Sequence, residues 1–161
     1  PKFLGLKFLK YTLKNREVWS KRTLISIDSK TSWFGKEYYV QGEKRSDGFE
    51  VNGSAFSGLI KKKFATTSYF TPDFMKRKIW LSSQDGTPLN IQTKKIGNLD
   101  LLFNNKKYKI TDWKVSGDLE LTLQYDNQGN WVGSHFSIGK YPANFQLNNR
   151  TRNIHKLWKK I

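Results

Sequence analysis

Residues 118–138 have the sequence DLELTLQYDNQGNWVGSHFSI, and this stretch decides the fold that we predict. Apolar and polar side chains alternate in its first half, and the apolar positions are Leu119, Leu121, Leu123 and Tyr125. Strict alternation is typical of a strand with one buried face, and the Asn and Gly residues of 126–130 tolerate the positive φ of a tight turn. The stretch therefore predicts an antiparallel hairpin whose strands cover residues 118–126 and 131–138.

The same period of two continues before this hairpin. A second hairpin is predicted over residues 98–103 and 108–115, with Gly117 as a bulge or sharp bend between the two hairpins. Earlier strands are predicted at residues 9–16, 22–28, 37–42 and 49–51, with turns at 29–35 and 46–48. In the first of these strands, the apolar face is formed by Leu9, Tyr11 and Leu13.

Two segments have a helical pattern instead. Thr71, Pro72 and Asp73 supply a cap, a proline in the first turn and an acid at the positive end of the dipole, which predicts a short helix over residues 72–79. At the C-terminus, the apolar positions of residues 150–161 follow helical spacing, and the remaining positions are mostly basic. This predicts a basic amphipathic helix whose apolar stripe consists of Ile154, Leu157, Trp158 and Ile161.

Together these elements predict an all-β fold with little helix. Because an antiparallel meander must bury one face, we expect a single sheet that curls into an open barrel or half-barrel, with the alternate leucines and rings on its concave side. One domain is predicted over residues 1–147, and residues 148–161 form the C-terminal basic helix or tail.

The charge is strongly positive, with 29 Lys and Arg residues against 13 Asp and Glu residues and a net charge of +16. Such a charge favours an anionic partner, which could be nucleic acid, an acidic lipid surface or an acidic protein. The alternative interpretation is that the lysines only solvate the surface, because they are spread along the whole chain.

Catalytic and metal-binding patterns are weak. Cysteine is absent, which excludes disulfides, thiolate metal sites and cysteine nucleophiles, and the two histidines have no ligand spacing. Ser134 and His135 are neighbours on a predicted strand, so they face opposite sides. Asp118 and Glu120 share a face of a predicted strand, so they could act as a carboxylate pair in an enzyme. An enzyme of this kind, acting on an acidic polysaccharide, is the weakest of our hypotheses. We therefore predict no catalytic residue, no metal and no cofactor.

Binding patterns are stronger and fall into two sets. Aromatic residues that could line an apolar pocket for a hydrophobic ligand are Tyr69, Phe70, Trp80, Tyr125 and Trp131. Residues that could meet an anionic surface are Lys61, Lys62, Lys63, Arg152, Lys156, Trp158, Lys159 and Lys160. The alternatives are that the aromatic residues only fill a core, and that the C-terminal stripe docks on the protein itself.

Three stretches resemble an uncharacterised bacterial family of exported β-rich domains of unknown function. They are residues 11–31, residues 67–72 with 83–86, and residues 117–133, and the resemblance covers most of residues 8–147. It implies an antiparallel β fold and an exported, periplasmic location, and it implies no catalytic residues. Members of that family carry a leader and further strands before the position of Pro1, so one sheet edge is expected to be open or to be completed by a partner.

The leading functional hypothesis is a non-catalytic cell-envelope protein that holds a lipid-like or other hydrophobic ligand inside the curled sheet. The alternatives are an assembly subunit whose sheet edge is completed by a partner's strand, and a nucleic-acid-binding protein that uses lysines and exposed rings.

Overall fold

The structure is a computed structural model that describes residues 2–3, 6–7, 11–103, 106–138, 140–146 and 154–160. It is all-β, as predicted, and the strand pairs from β3 to β7 and from β10 to β14 are antiparallel. The chain forms two compact units. Unit 1 contains Pro1–Lys63 and Leu81–Pro88, and unit 2 contains Phe64–Trp80 and Leu89–Ile161.

Unit 1 is built on a five-stranded meander in which each strand pairs with the next along the chain. Its strands are β3 (Tyr11–Ser20), β4 (Thr23–Trp33), β5 (Lys36–Lys44), β6 (Phe49–Gly53) and β7 (Ser57–Ile60). Two short strands, β1 (Lys2–Phe3) and β2 (Leu6–Lys7), pair with each other before it. The meander predicted from the sequence is therefore confirmed for this part of the chain.

One face of the five-stranded sheet carries the core of unit 1. Ile27, Ser29 and Thr31 of β4 are buried there, together with Val40 of β5 and Val51 of β6, all at 3% exposure or less. The segment Leu81–Pro88 lies against the same face, because the Ser29 hydroxyl donates a 2.6 Å hydrogen bond to the Ser83 carbonyl. A buried hydroxyl needs such a partner, so Ser29 and Ser83 fix this segment on the sheet.

Unit 2 holds all of the seven-stranded sheet except Leu81 and Pro88, and the strands of this sheet follow each other in sequence order. Its strands are β8 (Ala65–Thr66), β9 (Ile79–Leu81), β10 (Pro88–Phe103), β11 (Lys106–Gly117), β12 (Leu121–Asp126), β13 (Trp131–Ile138) and β14 (Tyr141–Gln146). Both predicted hairpins are present, with Leu99 opposite Ile110 in the first and Leu123 opposite Ser134 in the second. Leu123 and Tyr125 are fully buried, as predicted, but the polar Gln124 and Asp126 of the same strand are buried as well, so the predicted solvated face is wrong at this end of β12.

The helices of unit 2 are shorter than the sequence indicates. Thr71 caps a 3₁₀ helix over Pro72–Lys76, and its hydroxyl accepts a hydrogen bond from the Asp73 N–H, so the predicted start is confirmed. The predicted end at residue 79 is wrong, because Ile79 already belongs to β9. The described C-terminal helix, α1, covers only Ile154–Lys160.

The predicted amphipathic pattern of the C-terminal helix over 150–161 is also wrong. His155 is buried although it lies outside the predicted apolar stripe. Its ring packs against Gly129, and its Nδ1 lies 2.9 Å from the Thr71 hydroxyl. Polar contacts within unit 2 therefore help to determine which face of α1 is buried. A hydrophobic pattern contains no information about such contacts.

The single curled sheet is the main correction to the predicted fold. The described strands divide between two large sheets after β7, and they form no closed barrel. The turn predicted at residues 29–35 is wrong as well, since β4 continues to Trp33 and only Phe34 and Gly35 turn. Ser29 and Thr31 look like turn residues in the sequence, but both are buried in this strand. The single domain over residues 1–147 stays a prediction.

Candidate binding surface

The predicted ligand-binding aromatics lie in unit 2, where several of them contact each other. The rings of Tyr69 and Trp80 are 5.7 Å apart, and Trp80 and Tyr125 are almost fully buried. The Tyr125 hydroxyl donates a 2.8 Å hydrogen bond to the Tyr69 carbonyl. Trp80 and Tyr125 are therefore packed as core residues, whereas Tyr69 is half-buried, and a ligand-binding role for the three stays a prediction.

The two remaining aromatics of the predicted pocket lie beside this core. Phe70 packs edge-on against Phe74 and Trp158, with centroid distances of 4.9 and 5.4 Å. Trp131 is half-buried at the start of β13, and its indole N–H meets no hydrogen-bond partner within the described residues. An unpaired buried donor is costly, and it marks Trp131 as the one predicted pocket residue that retains an unused polar group.

The predicted anionic-surface residues divide between the units. In unit 1, Lys61, Lys62 and Lys63 follow β7 and are exposed. In unit 2, Lys156 and Lys159 are exposed on α1, whereas Trp158 is 4% exposed and donates its indole N–H to the Asp73 carboxylate at 2.9 Å. Trp158 therefore docks α1 on the protein. Arg152 and the side chain of Lys160 lie outside the described residues.

The weak catalytic candidates have structural partners. Asp118 accepts hydrogen bonds from the backbone and side-chain N–H groups of Asn90 at 2.8 and 3.1 Å. His135 lies on the exposed side of β13, with its Nδ1 2.7 Å from the Asn144 amide oxygen. Within the described residues, no cluster of His, Asp and Glu could hold a metal ion. None of the described helices is long and apolar enough to cross a membrane.

A surface that the sequence analysis missed lies at the β4–β5 turn of unit 1. Trp33 and Phe34 stack there with centroids 5.9 Å apart and planes at 26°, and Tyr11 meets Trp33 edge-on at 6.1 Å. Phe34 is 58% exposed and Tyr11 45%. We call Tyr11, Trp33 and Phe34 the aromatic tip. Two consecutive aromatics before a glycine were the available sequence signal.

The backbone of the aromatic tip is strained. Phe34 has φ +52° and Gly35 has φ +77°, as in the two-residue turn that joins strands of a hairpin. Asn, Asp or Gly normally occupies the first position, because a larger side chain in this left-handed conformation costs about 1 kcal/mol or more. A phenylalanine that is both strained and exposed contributes little to folding, which marks it as a candidate functional residue.

Basic side chains lie near the aromatic tip on both faces of the sheet, with Lys36 on the face of Trp33 and with Lys14 and Lys30 on the opposite face. Lys36 lies directly opposite Trp33 across the hairpin, and Lys14 lies opposite Lys30 on the neighbouring strands. All three lysines are exposed. Beside them, Asp28, Lys30, Glu37, Tyr38, Tyr39 and Gln41 line an open groove of about 280 Å³. Burial raises the pKa of Tyr11 above its ordinary value of 10.0, so this tyrosine stays neutral beside the cations at neutral pH.

Comparisons with known proteins identify a family but no activity. No curated protein and no solved structure matches the chain. A family model described as a domain of unknown function, DUF6134, matches residues 1–148. The match covers most of the chain and agrees with the resemblance noted in the sequence. The chain therefore belongs to the DUF6134 family of domains of unknown function.

Proposed function

We propose that the protein is a non-catalytic binding protein of the cell envelope, exported to the periplasm, whose ligand is an anionic lipid surface. In this proposal the aromatic tip inserts between lipid headgroups while the neighbouring lysines contact the phosphates. The observation that carries it is Phe34, which is exposed although its backbone conformation disfavours a large side chain.

The chemistry of the aromatic tip fits a membrane interface. Aromatic side chains concentrate at the level of the lipid headgroups, where a ring is partly shielded from water. Burial of a phenylalanine side chain contributes about 1.5–3 kcal/mol, which is roughly tenfold or more in a partition coefficient. Each lysine near an anionic surface adds about 1 kcal/mol. In this proposal Lys36, on the face of Trp33, and Lys14 and Lys30, on the opposite face, supply this attraction.

The lipid-like ligand expected inside a curled sheet has less support. Three of the aromatic residues assigned to that pocket, Tyr69, Trp80 and Tyr125, contact each other in unit 2, so a ligand between them would have to displace the buried side chains of Trp80 and Tyr125. Displacement of well-packed core residues costs several kcal/mol. An exposed surface for lipid keeps the predicted ligand class and avoids this cost.

The test uses Phe34→Asn and vesicles of phosphatidylcholine with or without phosphatidylglycerol. Asn tolerates a positive φ, so the variant should fold at least as stably as the original protein while it loses the ring. We expect its partitioning onto phosphatidylglycerol vesicles to fall by about tenfold, measured by sedimentation. Vesicles of phosphatidylcholine alone should bind the original protein weakly.

A matched control is Ile96→Asn in β10. Ile96 is also 58% exposed, but it lies in unit 2 and has no part in the aromatic tip. This variant should bind vesicles as the original protein does. Equal binding by the Phe34→Asn variant, or equal binding to neutral vesicles, would contradict the proposal.

Nucleic-acid binding is an alternative outcome of the same experiment. Exposed rings beside lysines can also stack on unpaired bases. A single-stranded oligonucleotide that binds the original protein and displaces it from vesicles, with the same loss in the Phe34→Asn variant, would favour that alternative.

A further inference from the structure

The strand β3 forms one edge of the five-stranded sheet. It pairs with β4 on one side, and no described strand of unit 1 pairs with its other side. With ten residues, it is long for an edge strand. Long edges are normally shortened or covered, because they offer backbone N–H and C=O groups to another chain.

The inner face of the sheet continues to this edge. Leu13 lies opposite Thr31, which is 0% exposed, yet Leu13 itself is 38% exposed. Tyr11 lies on the same face, opposite Trp33. Both side chains have a neighbouring strand on one side, and an added strand would cover their other side with its own alternate residues.

The outer face of β3 is basic at the same place. Lys14 and Arg16 lie two residues apart and are exposed, so they project from one face at neighbouring positions. Their partners on β4 are Lys30 and Asp28. Lys14 therefore lies directly opposite a like charge, and an acidic residue on a chain added at the edge would give it an opposite charge at its free side.

A second copy of this chain fits the edge poorly. In an antiparallel pair, residues directly opposite each other lie on the same face of the sheet. Registers that keep most of β3 paired then place Lys14 opposite Arg16, or set Lys14, Arg16 or Glu17 opposite its own copy. Like charges at directly opposed positions are destabilising. Pairing of β3 with the β3 strand of a second copy is therefore unfavourable, and the edge favours a partner strand with acidic residues.

We propose that β3 binds an extended segment of a partner protein by antiparallel strand addition. The segment carries acidic residues opposite Arg16 and Lys14 and apolar residues opposite Leu13 and Tyr11. From its N-terminus the segment has the order acidic, any, acidic, apolar, any, apolar. Main-chain hydrogen bonds supply affinity, and the alternating side chains supply specificity. This surface goes beyond the proposed lipid contact, and its acidic requirement depends on Lys14 and Arg16 alone.

The probe is a labelled peptide of sequence Thr-Thr-Glu-Thr-Glu-Val-Thr-Val-Thr-Thr. Its control has the same composition, but the two Glu and the two Val residues exchange places, so that Val lies opposite Arg16 and Lys14 and Glu lies opposite Leu13 and Tyr11. Fluorescence anisotropy should show at least about tenfold tighter binding of the first peptide, as two charge pairs and two apolar pairs are lost in the control. Hydrogen exchange should slow at the amides of Tyr11–Ser20 when the first peptide binds.

The protein variant for this test is Lys14→Glu with Arg16→Glu, and its control is Lys61→Glu with Lys62→Glu. Both double variants change the net charge equally, and all four lysine and arginine side chains are exposed in unit 1. Only the Lys14→Glu, Arg16→Glu variant should lose binding of the first peptide. The proposal would be overturned if both peptides bound the original protein equally, or if both double variants lost peptide affinity equally. It would also be overturned if the peptide slowed hydrogen exchange only at amides outside β3. The Phe34→Asn variant should still bind the peptide, so the two proposals fail independently.

Discussion

Several residues hold a positive φ without being glycine. Lys21 and Arg22 occupy the turn between β3 and β4 at +46° and +59°, and Phe34 occupies the next turn at +52°. In the first turn the two strained residues are exposed cations. In the second turn the strained residue is an exposed aromatic. Tight turns fix the register of both hairpins, and non-glycine residues in them add surface chemistry at a cost in stability.

The buried hydroxyl of Tyr125 leads to a prediction of how the free energy of unfolding responds to alkaline pH. Burial raises the pKa of its hydroxyl well above 10.0, and Tyr69 acts in the same direction. In the unfolded chain the hydroxyl loses its proton near pH 10, whereas in the folded protein it stays protonated. The folded state therefore binds more protons, and its stability falls as pH rises above about 10, by up to about 1.4 kcal/mol per pH unit.

The measurement is the free energy of unfolding in urea from about pH 9 to about pH 11, for the original protein and for Tyr125→Phe. The variant loses the hydrogen bond to the Tyr69 carbonyl, so at pH 9 it should be less stable by about 1 kcal/mol. Its stability should decline less steeply above pH 10. Parallel pH profiles for the two proteins would show that Tyr125 is not the group responsible.

At the scale of elements, the bend at Gly117, the last residue of β11, predicts that a side chain at this position lowers the free energy of unfolding. Gly117 has φ +108°, and a Cβ at this position would overlap the Asn90 carbonyl oxygen. The same oxygen accepts a hydrogen bond from the Asp118 N–H at 3.0 Å, so the bend cannot open without loss of this contact. We expect Gly117→Ala to lower the free energy of unfolding by about 2 kcal/mol or more.

The control for this prediction is Gly97→Ala in β10. Gly97 lies beside a register shift, and a Cβ there would meet no atom within 4 Å. Urea unfolding should show little change or a small gain for this variant. A loss of equal size in both variants would mean that the bend at Gly117 has no special role.

The elements also show what the sequence could and could not predict. The hairpin of β12 and β13 was predictable because Leu121, Leu123 and Tyr125 alternate with polar residues and a turn follows. The strands β8 and β9 were missed, because two or three residues are too short for a period to appear. The continuation of β4 was missed because Ser29 and Thr31 are polar, and their burial depends on the segment Leu81–Pro88, far along the chain.

The candidate surface was missed for a related reason. Sequence patterns favour buried positions for aromatic residues, and this rule correctly describes Trp80 and Tyr125. Phe34 and Tyr11 break the rule, because one lies in a tight turn and the other at a sheet edge. Edges and turn conformations depend on strand order, which periodicity alone does not fix.

At the scale of the whole molecule, the net charge of +16 acts in two opposite ways. Cations repel each other within the folded chain, and the described part of the protein contains only a few acidic partners, such as Glu50 beside Arg45 and Asp100 beside Lys107. These pairs are exposed and contribute little. In the proposed function, the same net positive charge would attract anionic lipid. Stability and lipid binding should therefore respond to salt with opposite signs.

We predict that an increase from about 50 mM to about 300 mM NaCl raises the free energy of unfolding and lowers binding to phosphatidylglycerol vesicles, since the Debye length falls from about 14 Å to about 6 Å. The gain in stability should level off once screening is complete, whereas a general effect of salt on hydrophobic burial would keep rising. Urea unfolding and vesicle sedimentation in the same buffers measure both quantities. A fall in stability over this range would mean that repulsion between the lysines does not weaken the fold, and vesicle binding that does not change with salt would contradict the proposed attraction to anionic lipid.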